Sequence, residues 1–331
     1  MCEGVAVPLA VTGSVATDHL MSFRGKFSDS LVVDQLDKIS LSFLVEDLQV
    51  RRGGCAANIA FGLASLGHRP ALVAAVGEDF ADYRSWLERH GVDCGSLLYS
   101  TTRHTARFIC TTDDAHAQIA SFYAGAMVEA RELELAPVQD RVGALDLVVI
   151  APNDPEAMAR HTNECRSRGF PFAADPSQQL AWSDGEGIRQ LIDGATYLFS
   201  NEYEAALIEQ KTGWSGADVL ARVETHVVTL GPAGVRVERA GEEAWTVDAV
   251  PGVDAVEPTG VGDAFRAGFL ATVAQGLGHV RAAQVGCVLA AYVVERVGTQ
   301  EYVFTREQFC RRVLGAYGED VAAEVADWLL P

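Results

Sequence analysis

The sequence predicts an α/β fold with a mostly parallel central sheet, helices on both faces and a small additional β-sheet. Between residues 71 and 230, short apolar stretches alternate with amphipathic helical stretches, which is typical of β–α units in a parallel sheet covered on both sides. Residues 19–50 and 105–122 instead have mixed or alternating polar and apolar residues, as exposed strands do. We therefore expect one domain over residues 1–331, with a lid from about 17–50 and 105–124 inserted in it.

Composition limits the class of protein. The chain has 331 residues, of which 49% are hydrophobic, and a formal net charge of −19. This charge opposes nucleic acid as a partner, and no apolar run reaches the roughly 18 residues that span a bilayer. The N-terminus lacks the features of a signal peptide, and the seven cysteines form no C-x-x-C pair. Free thiols in a reducing cytoplasm are the expectation.

The elements follow from apolar pattern and turn residues. Helices are predicted at 56–66, 153–168, 264–274 and 282–295, with one or two more between 307 and 330. Buried strands are predicted at 5–11, 71–76, 145–150, 170–174, 195–199 and 227–230, and lid strands at 39–45, at 48–51 and, as a pair, within 105–122.

Polar residues follow the first strand and open the first long helix. Ser14 and Asp18 lie where the carboxyl end of a sheet strand binds ligands in open α/β folds, although a turn residue would fit there too. Gly53 and Gly54 would let a ligand approach the backbone. Asn58 sits in an apolar helix and needs a partner, which could be a substrate hydroxyl or the protein's own backbone.

The stretch from Glu257 to Phe269 carries the strongest signal. A glycine-bearing loop, 259–262, opens an apolar helix, so several backbone N–H groups point at one spot and favour an anion. Asp263 next to an anion site would repel the anion, and general-base catalysis beside a transferring phosphoryl group explains a carboxylate there. A glycine turn with Asp263 as a helix cap is the simpler alternative.

This stretch resembles the signature D-[TP]-T-G-x-G-D of the ribokinase (PfkB) family of sugar and nucleoside kinases, except that Glu257 replaces the first Asp. Three further motifs resemble the same family: G-G-x-x-x-N at 53–58, N-x-x-E at 201–204 and T-x-G-x-x-G at 229–234. The resemblance covers nearly the whole chain and implies the ribokinase-like fold. A P-loop, a dinucleotide fingerprint and zinc motifs are absent from the sequence.

The resemblance also implies roles for single residues. It makes Asp263 the catalytic base and gives the anion hole to Gly260, Val261 and Gly262. It assigns nucleoside binding to Ser14, Asp18, Ser42, Gly54, Asn58, Phe108, Phe122, Gln178 and Gln179, with the two Phe rings flanking adenine. It assigns ATP binding to Asn201, Glu204, Thr229, Gly231 and Gly234. Glu204 would hold Mg²⁺ through water, and a monovalent cation, K⁺, would bind Glu257 with the carbonyls of Val293, Arg296 and Gly298.

The implied reaction is ATP plus adenosine giving AMP plus ADP, with Asp263 taking the proton of the ribose 5′-hydroxyl. The alternatives are a kinase of a free sugar such as ribose or fructose, and a nucleoside-binding protein without catalysis. Expected partners are small molecules, with neither nucleic acid nor membrane. An exposed lid face would need covering, so the lid predicts a homodimer.

Overall fold

The structure of the chain, a computed structural model, describes residues 8–31, 38 and 41–329. An eight-stranded sheet forms its centre, in the order β14–β13–β12–β11–β10–β9–β1–β4. All neighbours from β12 to β4 are parallel, whereas β12, β13 and β14 pair antiparallel. These strands are β1 (Leu9–Thr12), β4 (Ala71–Val73), β9 (Leu147–Ile150), β10 (Phe172–Ala174), β11 (Tyr197–Asn201), β12 (Thr225–Thr229), β13 (Val235–Glu238) and β14 (Trp245–Val247).

A second sheet of four strands, in the order β3–β2–β7–β8, stands apart from the first. We call it the lid sheet; it consists of β2 (Ala16–Phe23), β3 (Asp47–Gly53), β7 (Ala106–Asp113) and β8 (Gln118–Tyr123). A short parallel pair, β5 (Ala75–Gly77) and β6 (Leu98–Ser100), lies beyond β4 in the chain.

Helices cover both faces of the central sheet, because its strands are apolar on both sides. One core contains Leu9 and Val11 of β1, and the other contains Ala10, which points the opposite way. The helices are α1 (Phe27–Ser30), α2 (Cys55–Ser65), α3 (Ala81–Arg89), α4 (Ala136–Val142), α5 (Pro155–Arg168), α6 (Gln179–Trp182), α7 (Gly185–Ile192), α8 (Glu202–Thr212), α9 (Gly216–Leu220), α10 (Val261–Ala274), α11 (His279–Val294), α12 (Arg306–Tyr317) and α13 (Glu319–Trp328).

The predicted fold class is confirmed, and several element predictions need correction. Residues 41–45 form no strand, because β-propensity holds only where a neighbouring strand supplies hydrogen bonds; residues 39–40 of that prediction lie outside the described part. The single strand predicted at 71–76 is two strands, β4 and β5, which pair in different sheets. Of the strand predicted at 5–11, residues 5–7 are not described, and β1 extends to Thr12. The six described cysteines are free.

Among the helices of the described segments, not one combines the length and apolarity that a bilayer crossing requires. The carboxyl ends of the parallel strands all meet at one edge of the central sheet. Ser14 follows β1, Asp175 follows β10, and β11 and β12 end on Asn201 and Thr229. This edge, the usual ligand-binding edge of an open α/β sheet, is where the candidate site lies.

Candidate active site

The loop before α10 is shaped by a glycine that no other residue could replace without strain. Gly260 has φ of +77°, in the left-handed region, and a Cβ there would lie 2.7 Å from Cγ2 of Thr299. This conformation turns the chain directly into the buried helix α10.

Backbone donors at this helix start are available to a ligand. Within the described residues, the N–H groups of Gly260, Gly262 and Asp263 have no hydrogen-bond acceptor, whereas the Val261 N–H donates to the Pro258 carbonyl at 3.3 Å. Three unpaired N–H groups at the positive end of a fourteen-residue helix are an arrangement that favours an anion. Of the three predicted anion-hole residues, Gly260 and Gly262 offer free donors and Val261 does not.

Asp263 lies in the first turn of α10, is 8% exposed and lines the same cleft as Gly260 and Gly262. Nδ2 of Asn58 donates to its Oδ2 at 2.9 Å, which fixes the carboxylate. Burial raises the pKa of Asp263, against the opposing effect of the Arg266 guanidinium and of the hydrogen bond from Asn58. A raised pKa makes a carboxylate a better proton acceptor.

Asn58 is held by the protein on its other side as well. Its Oδ1 accepts hydrogen bonds from Oγ1 of Thr299 at 2.8 Å and from Nε2 of Gln300 at 2.9 Å. The same Gln300 nitrogen lies 2.6 Å from the Tyr83 hydroxyl, which donates to the Gly53 carbonyl. Asn58, predicted to bind substrate, therefore also orients Asp263, and one Nδ2 hydrogen remains for a substrate.

The cleft, of about 220 Å³, joins five segments that are far apart in the sequence. It is lined by residues at or just after the carboxyl ends of β10, β11 and β12, by the start of α2 and by the start of α10: Cys55, Ser177, Gln178, Asn201, Glu204, Thr229, Gly260, Gly262, Asp263 and Arg266. Predicted ATP-binding residues and the predicted catalytic residue thus share one cleft.

Asn201 and Glu204 form a capping box at the start of α8. Oδ1 of Asn201 accepts the Glu204 N–H and Oε2 of Glu204 accepts the Asn201 N–H, both at 2.8 Å. The second carboxylate oxygen of Glu204 makes no hydrogen bond within the described residues. One carboxylate beside a phosphate site fits Mg²⁺, which keeps most of its waters, and the described residues hold no group of three or more His, Cys, Asp or Glu that could bind a metal.

The lid sheet presents three predicted substrate residues in one row. Asp18 of β2 pairs in register with Phe108 of β7, and Phe108 pairs with Phe122 of β8. Residues paired across strands share a face of the sheet, so the carboxylate and both rings lie on the same side. Phe122 is 53% exposed, which leaves its ring free to cover a ligand.

Asp18 also meets charged neighbours. Arg51 is its register partner on β3, and Nη1 of Arg51 lies 3.2 Å from Oε2 of Glu257. Burial, with a contribution from the negative charge of Glu257, raises the pKa of Asp18 to about 6. The start of β2, the end of β3 and the loop before α10 thereby lie together at Asp18, Arg51 and Glu257.

The predicted monovalent-cation residues also lie together. Oε2 of Glu257 accepts the Gly298 N–H at 2.8 Å, and the Glu257 N–H donates to the carbonyl of Val294, next to Val293 in the last turn of α11. The Arg296 N–H donates to the Val293 carbonyl. Oε1 of Glu257 has no hydrogen-bond partner among the described residues, so an oxygen remains for an ion, although Arg51 competes for the carboxylate.

Residues 15–305 match the model of the pfkB family of carbohydrate kinases. The chain belongs to the PfkB family. Among curated relatives, the nucleoside kinase of Methanothermobacter thermautotrophicus is 29% identical over 297 residues, covering 86% of this chain and 92% of that protein. The ribokinase of Bacillus subtilis is 28% identical over 259 residues, covering 76% and 85%.

Solved structures agree with this assignment. The nucleoside kinase of Burkholderia thailandensis in complex with inosine superposes with a TM-score of 0.81 at 31% identity, covering 94% of this chain and 98% of that one. The nucleoside kinase of Methanocaldococcus jannaschii gives a TM-score of 0.80 at 25% identity, covering 93% and 98%. This PfkB-family member is thus a kinase that uses ATP to phosphorylate a hydroxyl group of a nucleoside or sugar.

Other predicted residues lie elsewhere or are already engaged. Ser42 is exposed in an irregular segment and does not line the cleft. Nε2 of Gln179 donates to the Asn153 carbonyl at 2.8 Å. Gly234 has φ of +97° and lies so close to β14 that a Cβ would overlap the Val247 carbonyl, whereas Gly231 is open on its Cβ side.

Two predicted residues shape the start of α2. Oγ of Ser14 accepts the Cys55 N–H at 3.1 Å, and Gly54 has φ of +94° with no room for a Cβ beside the Ser14 carbonyl. Both therefore hold the helix that carries Asn58. Their roles in substrate binding stay predictions.

Sequence reasoning missed three residues of the cleft and four of the surrounding hydrogen-bond network: Cys55, Ser177 and Arg266, and Tyr83, Asp175, Thr299 and Gln300. One signal was available, because Arg266 is a charge in the otherwise apolar helix α10 and a buried charge requires a partner. Gln300 gave no such signal, since its importance depends on contacts with Asn58 and Tyr83.

Proposed function

We propose that the chain is a nucleoside kinase that transfers the γ-phosphoryl group of ATP to the ribose 5′-hydroxyl of adenosine. The observation that carries this proposal is the pairing of a buried, oriented carboxylate with free backbone donors. Asp263 and the unpaired N–H groups of Gly260 and Gly262 face one cleft, and phosphoryl transfer needs a base and an anion site side by side.

In the proposed reaction, the 5′-oxygen of the nucleoside forms a bond to the γ-phosphorus as the bond from phosphorus to the bridging oxygen breaks. ADP leaves with that electron pair, and the hydroxyl proton moves to a carboxylate oxygen of Asp263. Oδ2 is held by Asn58, so Oδ1 is the oxygen better placed to receive it.

Other groups that line the cleft would stabilise the negative charge of the phosphates. The N–H groups of Gly260 and Gly262 hold negative charge on the transferring group. Glu204 would hold Mg²⁺ through water, and Asn201, Thr229 and the loop around Gly231 would position ATP. The metal would neutralise phosphate charge when bound.

A nucleoside, rather than a free sugar, is supported by the row Asp18–Phe108–Phe122. Asp18 would accept hydrogen bonds from ribose hydroxyls, and the two rings would cover a flat base. The structural relative from Burkholderia thailandensis has been solved with inosine, a purine nucleoside. Ribokinase relatives support the alternative of a sugar acceptor.

We also propose a monovalent-cation site at Glu257, with the carbonyls of Val293, Arg296 and Gly298. These residues flank the loop that leads to Gly260. A K⁺ ion held there would fix that loop electrostatically.

A homodimer through the lid sheet is the proposed assembly. The face opposite Asp18 and Phe108 carries Leu48, Val50 and Ile119, which are 55%, 57% and 50% exposed. Burying these apolar side chains against a second lid sheet would remove them from water.

The proposal is tested by measuring ADP release with Mg-ATP against a panel of nucleosides and sugars. We expect the highest kcat/KM with adenosine, and no turnover without an acceptor. A higher kcat/KM with ribose or fructose would make the sugar kinase correct. Binding of adenosine by calorimetry without any phosphorylation would instead identify a nucleoside-binding protein.

A further inference from the structure

Arg266 is a buried arginine that the reaction proposed above does not use. It lies one turn after Asp263 on α10, is 9% exposed and lines the cleft. Its Nη2 donates to Oδ1 of Asp175 at 2.6 Å, across 91 residues of sequence. An arginine is rarely buried unless its charge is paired and its donors are used.

Only part of this guanidinium is satisfied. Among the described residues, Nε is buried without an acceptor, and Nη1 makes no hydrogen bond, being 3.9 Å from Oδ1 of Asp263. Oδ2 of Asp175 is likewise buried without a partner. A purely structural ion pair would be expected to use the Arg266 donors, so Nε and Nη1 of Arg266 point to an anionic ligand.

The direction of Nη1 identifies where that ligand would lie. A Cβ added to Gly262 would be 2.6 Å from Nη1, so the guanidinium lies against the backbone of the anion hole. Gly262 leaves room for it because it has no side chain. The charged group therefore lies beside the unpaired N–H groups at the start of α10.

The surrounding carboxylates keep the arginine charged. Although burial acts against the charged form, Asp175 and Asp263 raise the pKa of Arg266. Three carboxylates, those of Asp175, Asp263 and Glu204, share this region with one guanidinium. Without Arg266, the charged side chains that line the cleft would all be negative.

We propose that Arg266 is a catalytic residue that donates from Nη1 to an oxygen of the transferring γ-phosphoryl group, and that Asp175 is its positioning residue. This role rests on the proposed kinase function. Charge spreads over the equatorial oxygens in the transition state, and a planar guanidinium stabilises it there. The α10 helix thus supplies both the base and the cation, one helical turn apart.

The test compares Arg266→Ala and Arg266→Gln with the parent enzyme. Loss of one transition-state donor typically lowers kcat by about 10² to 10³, so we expect a loss of at least about 10² in both variants. Adenosine affinity should change less than threefold. Arg281→Ala is the matched control, because Arg281 is also largely buried and paired, with Glu324 at 2.8 Å, on helices away from the cleft.

Three readouts separate catalysis from structural support. Low-millimolar guanidinium chloride should restore part of the kcat of Arg266→Ala, and the same concentration of urea should not. Affinity for ADP with magnesium and aluminium fluoride, a mimic of the transferring group, should fall far more than affinity for ADP. In a double-mutant cycle, adding Asp175→Asn to Arg266→Ala should cost little more than Arg266→Ala alone.

A kcat of Arg266→Gln within about fivefold of the parent would overturn the proposal, as would equal loss of affinity for ADP and for the fluoride complex. A slow Arg266→Ala variant that guanidinium does not rescue, with an additive Asp175→Asn effect, would assign both residues to folding. If the parent itself phosphorylates no nucleoside or sugar, the proposed function fails, whatever the variants do.

Discussion

Asp263→Asn should lower activity and raise stability at the same time. The substitution keeps the shape of the side chain, and its Oδ1 can still accept the hydrogen bond that Asn58 donates over 2.9 Å. It removes the ability to accept a proton, and loss of a general base costs about 10² to 10⁴ in kcat. That range corresponds to about 2.7–5.4 kcal/mol of transition-state stabilisation.

Stability should move the other way because Asp263 is 8% exposed and its pKa is raised by burial. The ionised carboxylate is less favourable in the folded than in the unfolded chain. The stabilisation that comes from protonated Asp263 is therefore present below the unfolded pKa and is lost as the pH rises through the folded pKa. An amide does not titrate, so the Tm of Asp263→Asn should exceed that of the parent increasingly from about pH 4 upward.

The assays are ADP release with adenosine and thermal unfolding between pH 4 and pH 8. Asp93→Asn is the matched control, because Asp93 is a largely buried carboxylate paired with Arg141 at 2.7 Å, outside the cleft. Although burial acts in the opposite direction, hydrogen bonds from Arg141 and Gly95 lower the pKa of Asp93. The control should therefore keep its activity and lose stability near neutral pH.

An Asp263→Asn variant whose kcat lies within a few-fold of the parent would refute the general-base role. A Tm that falls in this variant at pH 8 would separately refute the electrostatic account. It would mean that the carboxylate stabilises Arg266 more than its burial costs.

Three further predictions follow from the same geometry. Phe108→Ala should raise KM for adenosine about tenfold, since base stacking contributes roughly 1–3 kcal/mol and about 1.4 kcal/mol is tenfold; an equal rise in KM for ribose would assign the ring to lid packing. Replacing sodium by potassium should raise kcat, and the increase should be larger in Arg51→Met, because Arg51 competes with the ion for Glu257. Equal rates in both salts for both proteins would contradict the proposed cation site. Ile119→Lys should convert a dimer to a monomer in light scattering, because it places a charge in the proposed apolar interface; a parent that is monomeric at tens of micromolar would contradict that assembly.

The sequence alone determined the features that depend on neighbouring residues. The turn at Gly260 and the helix from Val261 to Ala274 both follow from one short stretch, because backbone donors at a helix start are a local property. The parallel sheet also followed from the chain, since fully apolar strands alternating with helices can be buried only in that arrangement. The lid strands were predicted only in part. An exposed strand depends on a neighbouring strand, and the pattern of polar and apolar residues does not identify that neighbour.

The tertiary structure decided which distant groups meet. Asn58 reaches Asp263 across 205 residues, Arg51 reaches Glu257 across 206, and Arg266 reaches Asp175 across 91. Side-chain hydrogen bonds extend only about 3 Å, so such pairings depend on how the sheet brings its strand ends to one edge. For the same reason, the motifs located the cleft, but the orientation of Asp263 and the free donors of Arg266 emerged only from the folded chain.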